Sequence, residues 1–227
     1  MISAIIPAYN EAARIGQTIQ ALSTAALVDE IIVIDDASSD ETSHLAAEAG
    51  ASVLRLPGRG GKRAAQAIGV ARSRGEVLLL LDADLGATAA NSGPLLAPVL
   101  TDDCDMSVGV FPSYPGRGGG MGLVVRLARW GIHRCCGVRM AAPLSGQRAL
   151  RRTVWDAVAG NAHGFGSEVG MTIDALCAGF RVLEVPVMMD HRVTQNDLRG
   201  RCHRARQFRD VARTLWARRA MRCPPAD

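Results

Sequence analysis

Two carboxylates separated by one residue, Asp82 and Asp84, follow the apolar run 77–81. Acids at the carboxyl end of a buried strand lie where open α/β sheets gather their ligands. Two such charges side by side repel each other unless a cation or a donor network offsets them. Their oxygens suit Mg²⁺ or Mn²⁺, which in turn would bridge a diphosphate. A solvated turn with one Asp capping the next helix would use the same residues, but the preceding apolar run argues against it. Two further strand ends carry polar groups: Pro7-Ala8-Tyr9-Asn10-Glu11 and Asp35-Asp36-Ala37-Ser38-Ser39-Asp40. An aspartate there can accept hydrogen bonds from a base N–H or a ribose hydroxyl, and Pro7 or Tyr9 can pack on a base. Residues 38–40 are equally suited to capping a helix. Gly58-Arg59-Gly60-Gly61-Lys62-Arg63 opens a helix, and glycines, a helix N-terminus and cations together favour a phosphate. Neither a P-loop nor a dinucleotide fingerprint is present. Lys62 is the only lysine in the chain.

The elements that must position these groups alternate. Residues 3–7, 30–34, 52–56 and 76–81 read as strands, and 11–26, 40–49 and 62–74 as helices, with Gly75 as a stop. Strands apolar throughout and separated by helices indicate a parallel sheet covered on both faces. The expected fold class is therefore α/β: a doubly wound, mostly parallel sheet flanked by helices. The second half is less regular. Residues 104–110 and 181–187 read as strands, 122–136 and 166–178 as helices, and 112–122 as a Gly- and Pro-rich loop. Residues 198–220 form an amphipathic basic helix, with Cys202, Ala205, Phe208, Val211 and Leu215 along one side. One domain over 1–227 is expected: a regular α/β half (1–110), a less regular half (111–195) and a basic helix and tail (196–227).

The four motifs, in this order, resemble the motif set of family 2 nucleotide-sugar glycosyltransferases of the GT-A fold. Ser145-Gly146-Gln147-Arg148-Ala149 resembles the SGFRA-type segment of dolichyl- and polyprenyl-phosphate sugar synthases. Gly164-Phe165-Gly166-Ser167-Glu168 resembles the acceptor-side segment of those enzymes and, less closely overall, of glucosyl-3-phosphoglycerate synthases. The resemblance implies that Asp35, Asp36, Pro7, Tyr9 and Glu11 hold the nucleotide and that Lys62 approaches base or phosphate. It implies that Asp84 ligates Mg²⁺ or Mn²⁺, with Asp82 on the metal or the ribose and His191 as a further ligand. Arg117, Arg126, Ser145, Gln147 and Arg148 would meet the acceptor. Asp84, Glu168 and Arg148 would be the catalytic set, with Glu168 as base for a hydroxyl acceptor. An inverting transfer is implied, although the residues themselves leave the base, the sugar and the anomeric outcome open. Three departures stand out. A Gln often found two residues after the second acid is Gly86, the usual DDGS is DDAS with Ala37, and the aromatic of SGFRA is Gln147. A left-handed backbone at Ala37 would be strained.

Composition limits the remaining choices. With 227 residues, 48% hydrophobic and 21% charged, the chain is neither disordered nor fibrous. No apolar run reaches membrane-spanning length, and no secretory signal is expected at the N-terminus. From Arg192 onward ten arginines face three aspartates, +7, which leaves −3 of the total +4 to the first 191 residues. The basic character is thus local, aromatics are 4%, and no nucleic-acid module appears, so no nucleic-acid partner is expected. A cytoplasmic chain with peripheral contact at the inner face of the membrane is expected. Six cysteines without a C-x-x-C pair read as idle thiols rather than disulfides or a metal cage. The leading expectation is transfer from a UDP- or GDP-sugar to a polyprenyl phosphate. The alternative is transfer to a soluble acceptor such as a phosphorylated small acid. A non-catalytic nucleotide-sugar-binding protein ranks last, because the acid pair is intact.

Overall fold

The computed structural model describes residues 1–112, 122–158, 164–190, 198–221 and 223, with backbone only at 165 and 198–204. Its seven-stranded sheet comprises β1 (Ile2–Ala8), β2 (Glu30–Asp35), β3 (Ser52–Arg55), β4 (Val77–Leu80), β5 (Met106–Val110), β6 (Arg148–Arg151) and β7 (Val182–Pro186). The order is β3-β2-β1-β4-β6-β5-β7. β6 is antiparallel to both of its neighbours, and every other pairing is parallel.

Burial on both faces explains the apolar runs. Ala4, Ile6, Val33, Leu79 and Leu81 face one layer, against Ile15, Ile19 and Leu22 of α1 (Ile15–Thr24), Ala46 of α2 (Thr42–Glu48) and, further along the chain, Leu95, Leu96 and Val99. The alternate residues Ile5, Ile32, Ile34, Leu78 and Leu80 face the other layer, which includes Ala65 and Val70 of α3 (Lys62–Arg72). Leu95, Leu96 and Val99 belong to α4 (Gly93–Leu100), which contains two prolines and was not expected as a helix. A third apolar cluster joins Val108 of β5 to α5 (Leu123–Cys136) and, beyond α6 (Arg152–Val158), to α7 (Ser167–Cys177) and α8 (Leu198–Ala217).

β6 was not expected as a strand, because its first residue is a charged side chain buried in the core. Arg148 is 1% exposed and pairs across to Leu80. α8 docks through Val211, Thr214 and Leu215, and the buried Arg218 just past its end binds Asp174 at 2.7 Å. Among the described residues no helix is long and apolar enough to cross a membrane. The expectation of idle thiols is corrected at one pair: Cys177 and Cys223 form a disulfide. They lie 46 residues apart in sequence, so only the folding of α8 against α7 brings them together.

Candidate active site

The strand ends at β1, β2 and β4 form one rim. At β2, Asp35 is fully buried. Its carboxylate accepts the Ser38 N–H at 2.9 Å and the Ser43 hydroxyl, which shapes the turn that follows. Asp36, 3% exposed, accepts the N–H of Gly60 at 2.6 Å and of Gly61 at 2.9 Å. The glycine loop is thereby closed onto β2, and the start of α3 is brought to the rim. Arg59 from the same loop lies over the Tyr9 ring at 3.7 Å. Asn10 ties the β1 end to this turn, accepting the Ser39 N–H at 2.8 Å, and Glu11 N–H donates to Thr42 at 2.9 Å. Pro7 and Tyr9 are half-buried here. Ala37 adopts φ 61°, the left-handed backbone that its usual glycine would take without strain.

At β4 the arrangement differs. The Asp82 carboxylate receives Lys62 Nζ at 2.6 Å and Gln147 Nε2 at 2.7 Å, while its N–H donates to Gln147 Oε1 at 3.0 Å. Lys62 Nζ also lies 3.5 Å from Glu168 Oε1, and Glu168 accepts the Ser167 hydroxyl at 2.9 Å. Burial works against the charge of Lys62, but Asp82 and Glu168 outweigh it and hold its pKa above the ordinary lysine value. Gly146 makes this contact possible, since a Cβ there would come 2.4 Å from Lys62 Nζ. Asp84 is half-buried, and its carbonyl accepts Arg14 Nη1 at 2.9 Å. Thr18 fixes the same turn, donating to Ala83 O at 2.9 Å and accepting the Gly86 N–H at 2.8 Å. Gly86 has φ 56°, so the position that often carries Gln in relatives is a backbone corner here.

The structure therefore brings Asp36, Lys62, Asp82, Gln147 and Glu168 into one connected cluster, with Asp84 beside it. Arg14, Thr18 and Gly146 belong to it and were given no role from sequence; Arg14 and Thr18 lie in no motif, and Gly146 lies in the 145–149 segment, where only its neighbours were assigned roles. Gln147, expected toward the acceptor, is 2% exposed and clamps Asp82. Arg148 points to the opposite face. Its guanidinium binds Ser145 O at 2.9 Å and Thr172 Oγ1 at 3.0 Å beneath the site, instead of opening onto it. Burial pulls its pKa, and that of neighbouring Arg63, down to about 10. Ser145 is buried, and Arg126 is exposed on α5. Glu184 of β7 holds the segment before Ser145 by accepting the N–H groups of Ala141 and Ala142 at 2.7 and 2.6 Å. Asp190 N–H donates to Thr88 at 3.0 Å, four residues past Asp84. His191 and Arg117 lie outside the described residues.

A mostly parallel sheet with one antiparallel strand beside β4, and acids at the ends of β2 and β4, defines a fold of the GT-A type. The sequence profile described as "Glycosyl transferase family 2" matches residues 3–162. The chain belongs to that family. It is 33% identical over 200 residues to a glucosyl-3-phosphoglycerate synthase of Mycolicibacterium paratuberculosis, a match covering 76% of this chain and 59% of that protein. An undecaprenyl-phosphate 4-deoxy-4-formamido-L-arabinose transferase of Pseudomonas fluorescens is 30% identical, over 69% of this chain and 48% of that protein. The chain thus spans about three-fifths or less of these curated relatives. The solved structure of Mycobacterium tuberculosis glucosyl-3-phosphoglycerate synthase in complex with Mn²⁺, UDP-glucose and phosphoglyceric acid superposes with a TM-score of 0.81. It is 28% identical and covers 97% of this chain and 80% of that one.

Proposed function

We propose that the chain transfers a glucosyl group from UDP-glucose to a small phosphorylated hydroxy acid of the phosphoglycerate class, with Mn²⁺ or Mg²⁺. The observation that carries this reading is the Asp82–Lys62–Glu168 cluster, joined through Gly60 and Gly61 to Asp36. The ranking expected from sequence is thereby reversed. The phosphoglycerate-type relatives match over more of the chain, and the ring expected in the SGFRA segment is a buried Gln147 that faces Asp82. The donor set fits a hard divalent ion. Asp82 and Asp84 would hold the ion through carboxylate oxygens, with His191 as a further ligand on the family pattern. When bound, the ion would offset charge growing on the departing diphosphate.

The chain's own residues supply position and charge. Pro7, Tyr9 and Glu11 line the nucleotide side, and Asp36, held by the glycine loop, faces base or ribose. Lys62 leaves its place between two acids only for a stronger anion, the diphosphate. Glu168 takes the proton of the acceptor hydroxyl. Arg126 and Arg117 meet the acceptor's charged groups, while Ser145 and Arg148 shape the floor beneath them. The test is incubation of the purified chain with labelled UDP-glucose, MnCl₂ and 3-phosphoglycerate, with GDP-glucose run alongside. Label in a new anionic glucoside, abolished by EDTA, is expected. Label that enters organic solvent only when polyprenyl phosphate is supplied would replace this reading.

That second reading, a polyprenyl-phosphate acceptor with peripheral membrane contact, draws support from two exposed tryptophans. Trp130 on α5 is 62% exposed and Trp216 on α8 is 69% exposed, with Arg219 stacked on Trp216 at 4.4 Å. Aromatic rings beside arginines suit an anionic lipid surface. Flotation with phosphatidylglycerol vesicles, wild type against a Trp130→Ala and Trp216→Ala double variant, decides it. No binding by the wild type removes the reading.

A further inference from the structure

Away from the active site, three cysteines meet. Cys136 is the last residue of α5, Cys177 the last of α7, and Cys223 lies just beyond α8. Their three sulfurs lie within 4.8 Å of one another, and Cys136 Sγ is 3.0 Å from Cys223 Sγ. The Cys177–Cys223 disulfide uses two of them and leaves the third pressed against the bond. A thiophilic tetrahedral ion would use all three. At a Zn–S distance of about 2.3 Å, tetrahedral sulfurs stand about 3.8 Å apart, inside the observed spread. The setting also favours a cation. α5 and α7 both direct their carbonyl ends toward the cluster, and these carry partial negative charge. The nearest carboxylate on α7, Asp174, is already taken by Arg218 at 2.7 Å and does not compete for the ion. The backbone is preset as well, since Cys223 N–H donates to Cys135 O at 3.1 Å and folds the chain after α8 back onto α5.

We propose that, in the thiol form, Cys136, Cys177 and Cys223 bind one zinc ion, with water as fourth ligand. The ion staples the end of α8 to the ends of α5 and α7. Disulfide and zinc are alternative states of the same sulfurs. A phosphine with water reduces the disulfide, giving two thiols and the phosphine oxide, and the three thiols then release their protons to buffer as the ion binds. Cobalt reports the site. The full chain is reduced with a phosphine under argon, its free thiols are mapped by alkylation and mass spectrometry, and Co²⁺ is titrated in.

The expected result is saturation at about one ion per chain, with sulfur-to-cobalt charge-transfer and tetrahedral ligand-field bands that Zn²⁺ displaces. Cys136→Ser should weaken binding more than tenfold, and Cys104→Ser, a buried thiol elsewhere in the core, should leave it unchanged. Absence of the charge-transfer band in wild-type chain whose three thiols are shown free would overturn the proposal. So would bands that survive Cys136→Ser, or a Cys177–Cys223 bond that the phosphine leaves intact in the folded chain.

Discussion

Two pairs of acids close the two strands that flank β1, and the fold treats them in opposite ways. Asp35 and Asp36 at the end of β2 are buried and held by backbone N–H groups and a serine hydroxyl, with the Arg55 and Arg59 guanidiniums 3.9 and 4.0 Å away. Asp82 and Asp84 at the end of β4 stay half-exposed, and Asp82 is offset by the side-chain ammonium of Lys62. Amide donors cannot leave their acceptor without unfolding a turn, whereas a lysine side chain can swing away. An apolar strand followed by two acids therefore has two meanings: a structural joint in one place, an exchangeable charge site in the other. The comparison predicts that the outer pair governs turnover and the inner pair governs stability.

The largest expected effect is on the outer pair. Asp84→Ala, or Asp82→Ala, should lower turnover by about 10²–10³-fold, the loss typical when one oriented electrostatic group is removed. For Asp84→Ala the urea midpoint should move little, since that side chain is not core. A large stability loss with Asp84→Ala would erase the distinction between the pairs. Next is Lys62→Met. It leaves Asp82 and Glu168 without their shared cation and should cost about 10²-fold in kcat/KM. Because folding raises the Lys62 pKa, its contribution is fully present below the ordinary lysine value. It is lost only as pH rises through the higher folded value. Wild type and Lys62→Met should therefore differ in stability at neutral pH and converge in strong alkali. Gly146→Ala reaches the same contact from the other side. Its methyl would displace the Lys62 ammonium, and a loss of about tenfold in kcat/KM, with a stability loss no larger than that of Lys62→Met, is expected.

Asp36→Ala tests the inner pair. Two N–H groups lose a buried charged acceptor, so a cost of about 2–4 kcal/mol in urea unfolding is expected, with activity falling as a consequence. A stable but inactive variant would mean that Asp36 acts on the donor alone.

The sheet could be read from sequence where its physics is local. β1, β2 and β4 are buried on both faces and so are apolar throughout, and the polar groups that end them mark the rim. β6 escaped because the buried Arg148 makes a central strand look like a loop, although Ser145 O and Thr172 accept from its Nε and Nη1. α4 escaped because Pro94 and Pro98 resemble loop punctuation, although Pro94 stands in the first turn, where no N–H is needed. The site was legible as a set of residues but not as a set of partners. That Asp36 binds amides 24 and 25 residues away, or that Gln147 turns toward Asp82 while Arg148 turns away, depends on loop closure and on which face of the sheet each residue meets.

Ala37 sharpens the comparison with the smallest effect, because it lies inside the joint that the inner acids build. Its φ of 61° costs an L-residue roughly 1–2 kcal/mol relative to glycine. Against this, glycine has a looser unfolded chain, which costs about 0.4–1 kcal/mol. The first effect is the larger, so Ala37→Gly should stabilise the protein by about 0.5–1 kcal/mol in urea unfolding. The bonds from Ser38 N–H to Asp35 and from Gly60 and Gly61 to Asp36 do not involve the Ala37 side chain, so kcat should be unchanged. If the substitution instead destabilised the chain, the turn would be held by its methyl packing and not by the acids. The inner pair would then lose its standing as the joint of the rim.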